Sequence, residues 1–330
     1  MTRHLILGGL GFIGRHVAVR LAAKGEDVTI FDQMVPTEDM VRQIEADAGR
    51  PVDFLQGDMA NADWTALLAA VDVVHHYAWS TIPQTANEDP IGDLDANVRN
   101  TLRLLEAMRI DAMGEASVKR RLVFASSGGT VYGRLQKTPV PESHPFAPIT
   151  AYGVSKVAVE LYLGFYRSIA GLDCRIARIS NPFGAGQSPT RLQGAASAFL
   201  FKALAGERID IWGDGSVVRD FIHVSDLAEG LSSIALASQE DIGPRPAFNI
   251  GSGVGISLSG IVATIAEHLG RELDVRYHPA RPFDVAVSVL DIAHARERCH
   301  WSPQLTFSEG CDRMIRDLKS GRTWLSTPLG

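Results

Sequence analysis

The first fourteen residues constrain this chain more than any other stretch. Leu5, Ile6 and Leu7 read as a buried strand that runs straight into glycines at 8, 9, 11 and 14. The apolar periodicity from Phe12 to Leu21 then reads as a helix. A turn without Cβ atoms lets main chain approach a pyrophosphate, and the helix that starts there presents free N–H groups and the positive end of its dipole. The glycines repeat as G-x-x-G-x-x-G through Gly8, Gly11 and Gly14, wider than the strict dinucleotide fingerprint G-x-G-x-x-G. A second strand, Asp27 to Phe31, ends in Asp32, at about the 20-residue distance where an acid takes adenosine ribose hydroxyls. No Lys or Arg lies between Asp32 and Val41. A 2′-phosphate would meet a carboxylate and no cation there, so the expected dinucleotide is NAD rather than NADP.

Strand and helix patterns alternate through the first half. Val52–Leu55, Val71–His75, Leu122–Ala125 and Cys174–Ile179 read as strands, and Trp64–Ala70, Leu94–Met113 and Ala151–Ala170 as helices. Such alternation predicts an α/β chain built on a Rossmann-type, doubly wound parallel sheet. Ligands of such sheets sit at the carboxyl ends of the strands. The polar clusters follow strand ends here: Gly8–Gly14, Asp32, Gly57–Met59, Ala78–Thr81, Ser126–Gly129 and Ser180-Asn181.

The second half is less regular. A Gly/Pro-rich loop over 182–194 precedes a helix from about Ala195 to Ala205. Short strands at Asp210–Trp212 and Phe221–Val224 flank a glycine turn, and a helix over Ser225–Ala237 follows. Phe248–Ile250 reads as another sheet strand, ahead of a helix over Leu258–Leu269. The expected organisation is a nucleotide-binding domain over 1–180, rejoined by 221–250, and a smaller interleaved C-terminal α/β substrate lobe from 181–220 and 251–330.

The chain has 330 residues and a net charge of −6, enough for a full core and without a basic arm for nucleic acid. No apolar run reaches the roughly 18 residues of a membrane span. Cys174, Cys299 and Cys311 have no paired or metal-like spacing, so no metal site is expected and a reduced, cytoplasmic protein is. His75 and His76, which end an apolar strand, read as structural.

The sharpest chemistry lies in Tyr152-Gly153-Val154-Ser155-Lys156. Tyr and Lys four apart share one helix face. An ammonium beside a phenol stabilises the phenolate, as does a nicotinamide cation, so the Tyr152 pKa is expected to fall from about 10 toward neutrality. Tyr152 would then act as general base on a sugar or alcohol hydroxyl, and Lys156 would also hold the nicotinamide ribose. Ahead of it, FASSGGTVYG places hydroxyls at the end of a strand. Ser127 is the first choice for the hydroxyl that meets the substrate oxygen; Ser126 and Thr130 are alternatives.

At this point the chain resembles the extended short-chain dehydrogenase/reductases, specifically NAD-dependent nucleotide-sugar epimerases and dehydratases of the UDP-glucose 4-epimerase type. GGLGFIG, the YAWS segment, ANVRNTLRLLEA, SSGGTVYG, YGVSK, RISNPFGAGQ, IWGDGSVVRDFIHVSDLA, FNIGSG and RPFDVAVSVLD carry the likeness, in order, across nearly the whole chain. The resemblance implies that Phe12 and Ile13 cover the pyrophosphate, that Asp58 and Met59 sit at the adenine, and that Tyr77, Ala78, Trp79 and Ser80 line the NAD channel. It implies that Asn97 supports that channel and that Ser180 lies near the nicotinamide. It further implies that Asn181 holds the substrate diphosphate, with Arg219, Arg281 and Asp284 as nucleotide contacts; the alternative for Arg219 with Asp220 is a surface ion pair. Two features depart from the family. Many relatives carry the catalytic hydroxyl where Gly128 stands, and Trp79 replaces a small residue of the channel wall.

The resemblance also bears on the reaction. Dehydratases of this type carry an Asp-Glu dipeptide in the loop that here is Ser127-Gly128-Gly129-Thr130-Val131, without a carboxylate. Epimerisation at C4 of a UDP-hexose, with UDP-glucose and UDP-galactose as the pair, is the expected activity. Ser288 stands where the family gates N-acetyl groups, which leaves N-acetylhexosamine and uronate epimerases as alternatives. A 4-keto reductase and a non-catalytic NAD-binding sensor are the remaining readings. Relatives commonly pair helices into homodimers, here Leu94–Met113 and Ala151–Ala170; Leu102, Leu105 and Ala158 are offered for that contact or for packing on the sheet.

Overall fold

The structure, a computed structural model, describes residues 1–115, 117–187, 194–280 and 285–320. Its first half runs β1 (Arg3–Leu7), α1 (Phe12–Ala23), β2 (Asp27–Asp32), α2 (Glu38–Ala48), β3 (Asp53–Gln56), α3 (Trp64–Leu68), β4 (Val73–His76), α4 (Pro83–Glu88) and α5 (Pro90–Asp93). A π-helical segment, Leu94–Arg99, joins α5 to α6 (Asn100–Met113), followed by β5 (Arg121–Ser127), α7 (Ala151–Ala170) and β6 (Asp173–Ile179). The second half continues with β7 (Asn181–Phe183), α8 (Ala195–Ala205), β8 (Ile209–Trp212), β9 (Val218–His223), α9 (Val224–Leu236), α10 (Gln239–Ile242) and β10 (Ala247–Ile250). It ends with β11 (Gly255–Ser257), α11 (Leu258–Leu269), β12 (Val275–His278), β13 (Val287–Ser288), α12 (Ala293–Cys299) and α13 (Phe307–Lys319).

Seven strands form one sheet in the order β10-β6-β5-β4-β1-β2-β3, and every pairing in it is parallel. Strand alternation divides its side chains between two layers. Ile6, Val28, Ile30, Val73 and Val123 pack under α1 and α9, whereas Leu5, Leu7, Val74, Leu122 and Phe124 pack under α6 and α7. The doubly wound α/β fold expected from the sequence is therefore the fold observed. A smaller sheet gathers β11, β9 and β13, with β7 on β9, and β8 pairs β12; a third apolar cluster lies around α8, α11 and α13. β9 sits in this smaller sheet, while α9 and β10 lie on the main one.

Local chemistry sets the element ends. Thr37, Thr150, Ser257 and Thr306 each accept a main-chain N–H at a helix start, and Gly49, Gly171, Gly206 and Gly270 close helices in the left-handed region. α2 was not anticipated, although Met40, Ile44 and Ala48 repeat every four residues behind the Thr37 cap. β7, β11 and β13 were not anticipated either: two- and three-residue strands exist through tertiary pairing, not local propensity. Leu105 is fully buried against the sheet and is not the outward contact offered above, while Leu102 is half-buried and packs on the same layer. No helix among the described residues is long and apolar enough to cross a membrane, and the three cysteines are buried and unpaired.

One buried ion pair joins the layers. Arg178 of β6 meets Glu160 of α7 with an Nη2–Oε2 distance of 2.7 Å, and both side chains are almost inaccessible. Ser126 of β5 donates its hydroxyl to the same carboxylate. Arg178 Nη1 donates to the Tyr132 hydroxyl at 3.0 Å and to the Glu142 carbonyl at 2.8 Å, and Tyr132 in turn donates to Asn249 Oδ1 of β10 at 2.6 Å. Removing one member strands the other charge in a dry interior. Arg178→Ala is expected to lower stability by about 3–5 kcal/mol in urea unfolding, while the paired change Glu160→Leu with Arg178→Met loses far less.

Candidate active site

β1 enters the glycine turn, and the turn is closed from inside. Gly8 has φ +73°, and a Cβ there would meet the Ala78 main chain at 2.7 Å. A Cβ on Gly14 would lie 2.3 Å from the Gly8 carbonyl. α1 begins at Gly11 with no side-chain cap, so the first-turn amides that follow, which include those of Phe12 and Ile13, have no capping acceptor. That is an anion cradle a side chain would fill, and it fits a pyrophosphate.

From the cradle a cleft of about 590 Å³ opens along the strand ends. Its wall includes Gly8, Gly11, Asp32, Asp58, Met59, Tyr77, Ala78, Trp79, Ser80 and Asn97, so most of the expected dinucleotide contacts line one continuous space. Asp32 accepts from the Leu10 amide at 3.0 Å and the Met34 amide at 3.1 Å, which fixes its carboxylate beside the glycine turn. Asp58 accepts from the Ala60 amide at 2.8 Å. Arg99, Asn100 and Arg103 also line the cleft; they lie within the ANVRNTLRLLEA segment, from which only Asn97 was expected at the channel.

The channel wall is unusual in its polarity. The Tyr77 hydroxyl is hydrogen-bonded to His75 Nδ1 at 2.9 Å, and His75 Nε2 to His4 Nδ1 at 2.9 Å, a buried string across β4 and β1. Burial holds the His75 imidazole well below its ordinary pKa and Tyr77 well above its own. His76 faces the other layer, bonds to Thr101 at 2.7 Å, and is pushed by burial down to about 3. Both histidines are thus neutral structural members, in keeping with the sequence reading.

Tyr152 and Lys156 lie one turn apart on α7, with the Lys156 ammonium 5.5 Å from the Tyr152 ring centroid. Lys156 donates to the Ala125 carbonyl at 2.7 Å and rests 3.5 Å from the centre of the Trp79 ring. Trp79 also meets Tyr152 edge-on at 5.9 Å. The bulky residue of the channel wall therefore covers the lysine and touches both members of the pair. Two influences within the chain oppose the expected fall in the Tyr152 pKa. Burial raises the phenol and the Asp93 charge raises it further, while burial also drives Lys156 well below its usual value. The direct contacts of the amine are the Ala125 carbonyl and the indole.

The three candidate hydroxyls separate by partner. Ser126 is committed to Glu160, as described, and is buried. Ser127, at the open end of β5, makes no hydrogen bond through its side chain to the described residues. Thr130 Oγ1 is buried without a partner among the described residues, as are Trp79 Nε1 and Ser180 Oγ, polar atoms that a bound group could satisfy.

The residues expected at the substrate are only partly assembled. Asn181 Nδ2 donates to the Asp220 carbonyl at 2.8 Å, and Arg219 Nη1 to the carbonyls of Val218 at 2.9 Å and Val285 at 2.6 Å. Asp220 is not the surface partner of Arg219: it is buried and accepts from the Ser252, Gly253 and Leu290 amides and the Ser252 hydroxyl. Ser288 pairs in register with Arg219. Arg281 and Asp284 lie outside the described residues.

Asp93 escaped the sequence reading altogether. It is 1 % exposed, and its carboxylate accepts from Asn97 Nδ2 at 2.9 Å and from the hydroxyls of Thr81 and Ser155. The available signal was its position four residues before Asn97, on the same helix face. Asn97 Oδ1 in turn accepts from Ser80 N at 3.0 Å and Ser80 Oγ at 3.2 Å.

Comparisons with known proteins bear on this arrangement. A family model described as the NAD dependent epimerase/dehydratase family matches residues 4–251. The UDP-glucose 4-epimerase of Mycolicibacterium smegmatis is 33% identical over 316 residues, covering 95% of this chain and 97% of that protein. Among solved structures, the UDP-glucose 4-epimerase of Thermotoga maritima with UDP-glucose superposes with a TM-score of 0.85 at 28% identity, covering 97% of this chain and all of the other. The UDP-N-acetylglucosamine 4-epimerase of Methanobrevibacter ruminantium, in complex with UDP-N-acetylmuramic acid, also reaches 0.85, at 26% identity over 97% of this chain and 99% of that one.

The cradle makes a direct demand. Gly14→Ala, whose Cβ would drive into the Gly8 carbonyl, is expected to purify folded and without NAD, read as cofactor released on denaturation; retention at the wild-type level overturns the cradle.

Proposed function

The chain belongs to the NAD-dependent epimerase/dehydratase family, and on that premise we propose that it is a UDP-hexose 4-epimerase interconverting UDP-glucose and UDP-galactose. The carrying observation is the Tyr152–Lys156 pair set beside Trp79 at the wall of the dinucleotide cleft. The absence of a carboxylate from Ser127 to Val131 favours epimerisation over dehydration.

In this reading the Gly8–Gly14 turn and the α1 amides hold the pyrophosphate, Asp32 takes the adenosine ribose, and Asp58 and Met59 bound the adenine. Tyr77, Ala78, Trp79 and Asn97 form the channel, with Ser180 toward the nicotinamide. NAD, when bound, supplies the acceptor and donor of hydride at the sugar C4. Tyr152 takes the 4-hydroxyl proton and later returns one, Ser127 hydrogen-bonds the same oxygen, and Lys156 stabilises the phenolate and orients the ribose. Burial and the Asp93 charge raise the phenol, so positive charge placed next to Tyr152 favours its action as base. Arg219 and Arg281 clamp the diphosphate with Asn181, and Asp284 takes a ribose hydroxyl, which places the sugar nucleotide in the lobe of 181–220 and 251–330.

We also propose a homodimer. α7 leaves Val154, Leu161, Tyr162, Phe165 and Ile169 exposed, and α6 leaves Ile110 and Met113 exposed, a large apolar face on adjacent helices. Phe165→Asp is expected to halve the mass seen in sedimentation; a monomeric wild type overturns the dimer.

Incubation with UDP-galactose, UDP-N-acetylgalactosamine and UDP-glucuronate, followed by separation of products, tests the substrate. Conversion of UDP-galactose is expected; conversion of neither UDP-galactose nor UDP-N-acetylgalactosamine overturns the reading. Tyr152→Phe should lower turnover by at least about 10²-fold with NAD still bound.

A further inference from the structure

Asp93 is a buried carboxylate with three donors and, among the described residues, no cation in an ion pair with it. Its Oδ1 takes Asn97 Nδ2 at 2.9 Å and the Thr81 hydroxyl, and its Oδ2 takes the Ser155 hydroxyl. These partners sit on three different elements. Thr81 follows Trp79 and Ser80 on the channel wall, Asn97 is in the π-helical segment, and Ser155 stands between Tyr152 and Lys156 on α7. Asn97 extends the tie to Ser80 through two further hydrogen bonds. A π-helical turn in an otherwise regular helix is a feature frequent at functional sites, and here it begins one residue after Asp93.

We propose that Asp93 is a positioning residue for the Tyr152–Lys156 pair: through Ser155 it ties the helix carrying them to the channel wall, and it sets its carboxylate against the residue that stands between them. The inference rests on the reading of Tyr152 as the proton-transferring group. The electrostatic half follows from sign. A fixed negative charge without a cation partner disfavours a second one nearby and favours a nearby cation, so it raises both Tyr152 and Lys156. Burial acts with it on the phenol and against it on the amine.

The other ionisable groups on the elements around it do not duplicate this role. Glu160 is committed to Arg178, and His76 is neutral and bonded to Thr101. Asp95 and Arg99 pair with each other at 2.7 Å on an exposed face. Asp89 caps the Gly92 amide at 2.9 Å.

Asp93→Asn removes the charge and keeps the shape. Its oxygen can still accept from Asn97 and Thr81, and its amide can donate to Ser155 Oγ, which turns to accept. Ser155→Ala does the reverse, cutting the tie and leaving the charge. The near-ultraviolet phenolate absorbance of the NAD-loaded protein, taken as the difference from Tyr152→Phe, reports Tyr152 without turnover. In Asp93→Asn the titration midpoint is expected to move to lower pH by about one unit, and the acidic limb of the kcat profile with it. In Ser155→Ala the midpoint stays in place while kcat falls several-fold, and Ser155→Thr restores it. An unmoved midpoint in Asp93→Asn, or an equal movement in Ser155→Ala, overturns the proposal. Asp93→Ser, smaller and uncharged, serves if the asparagine variant does not fold. Because the titration needs no substrate, an inactive wild type would sink the UDP-hexose reading and leave this test standing.

Discussion

The Glu160–Arg178 pair is the contact on which the rest of the molecule depends. Its carboxylate comes from the helix that carries Tyr152 and Lys156, and its guanidinium from the strand that leads to Ser180 and Asn181. Ser126, one residue before Ser127, closes the triangle from β5. Three segments, β5, α7 and β6, are thereby fixed in register by one buried charge pair. Neither ion could remain there alone, so the geometry is all or nothing. Through Tyr132 and Asn249 the same network reaches β10, which ties the last strand of the main sheet to the first residues of the chemistry.

A second constraint is electrostatic. Lys156 is buried and Tyr152 half-buried, and desolvation opposes the charged form of each. The indole of Trp79 against the ammonium offsets part of that cost without adding a counter-ion that would compete for the phenol. The site is thus arranged to keep its proton until the charges around it change.

Much of this was legible in the residues. The glycine turn, the strand–helix alternation, the acid at the end of β2 and the Tyr–Lys spacing each carry their meaning locally, because main-chain conformation and helix periodicity are short-range properties. The cleft wall from Gly8 to Asn97 was legible too, through the segments that follow strand ends. What was not legible came from three-dimensional placement. Asp93 is an ordinary acid in the sequence and becomes distinctive only when Thr81 and Ser155 close around it. Spacing also says nothing of burial, which opposes the lowered Tyr152 pKa expected from the neighbouring Lys156. The alternative that paired Asp220 with Arg219 at the surface fails because Asp220 is an interior acceptor for a glycine turn, a role that depends on Ser252 and Leu290 far along the chain.

The strand order has a consequence for how the molecule comes into being. β10 occupies the outer edge of the main sheet beside β6, yet some seventy residues, most of them in the other lobe, separate the two along the chain. During synthesis β6 leaves the ribosome with one side unpaired and stays so until Ala247–Ile250 emerges. A long stretch of hydrogen-bonding edge is open to neighbours throughout that interval, so a nascent chain of this protein is most exposed to misassembly late, when most of its core already exists.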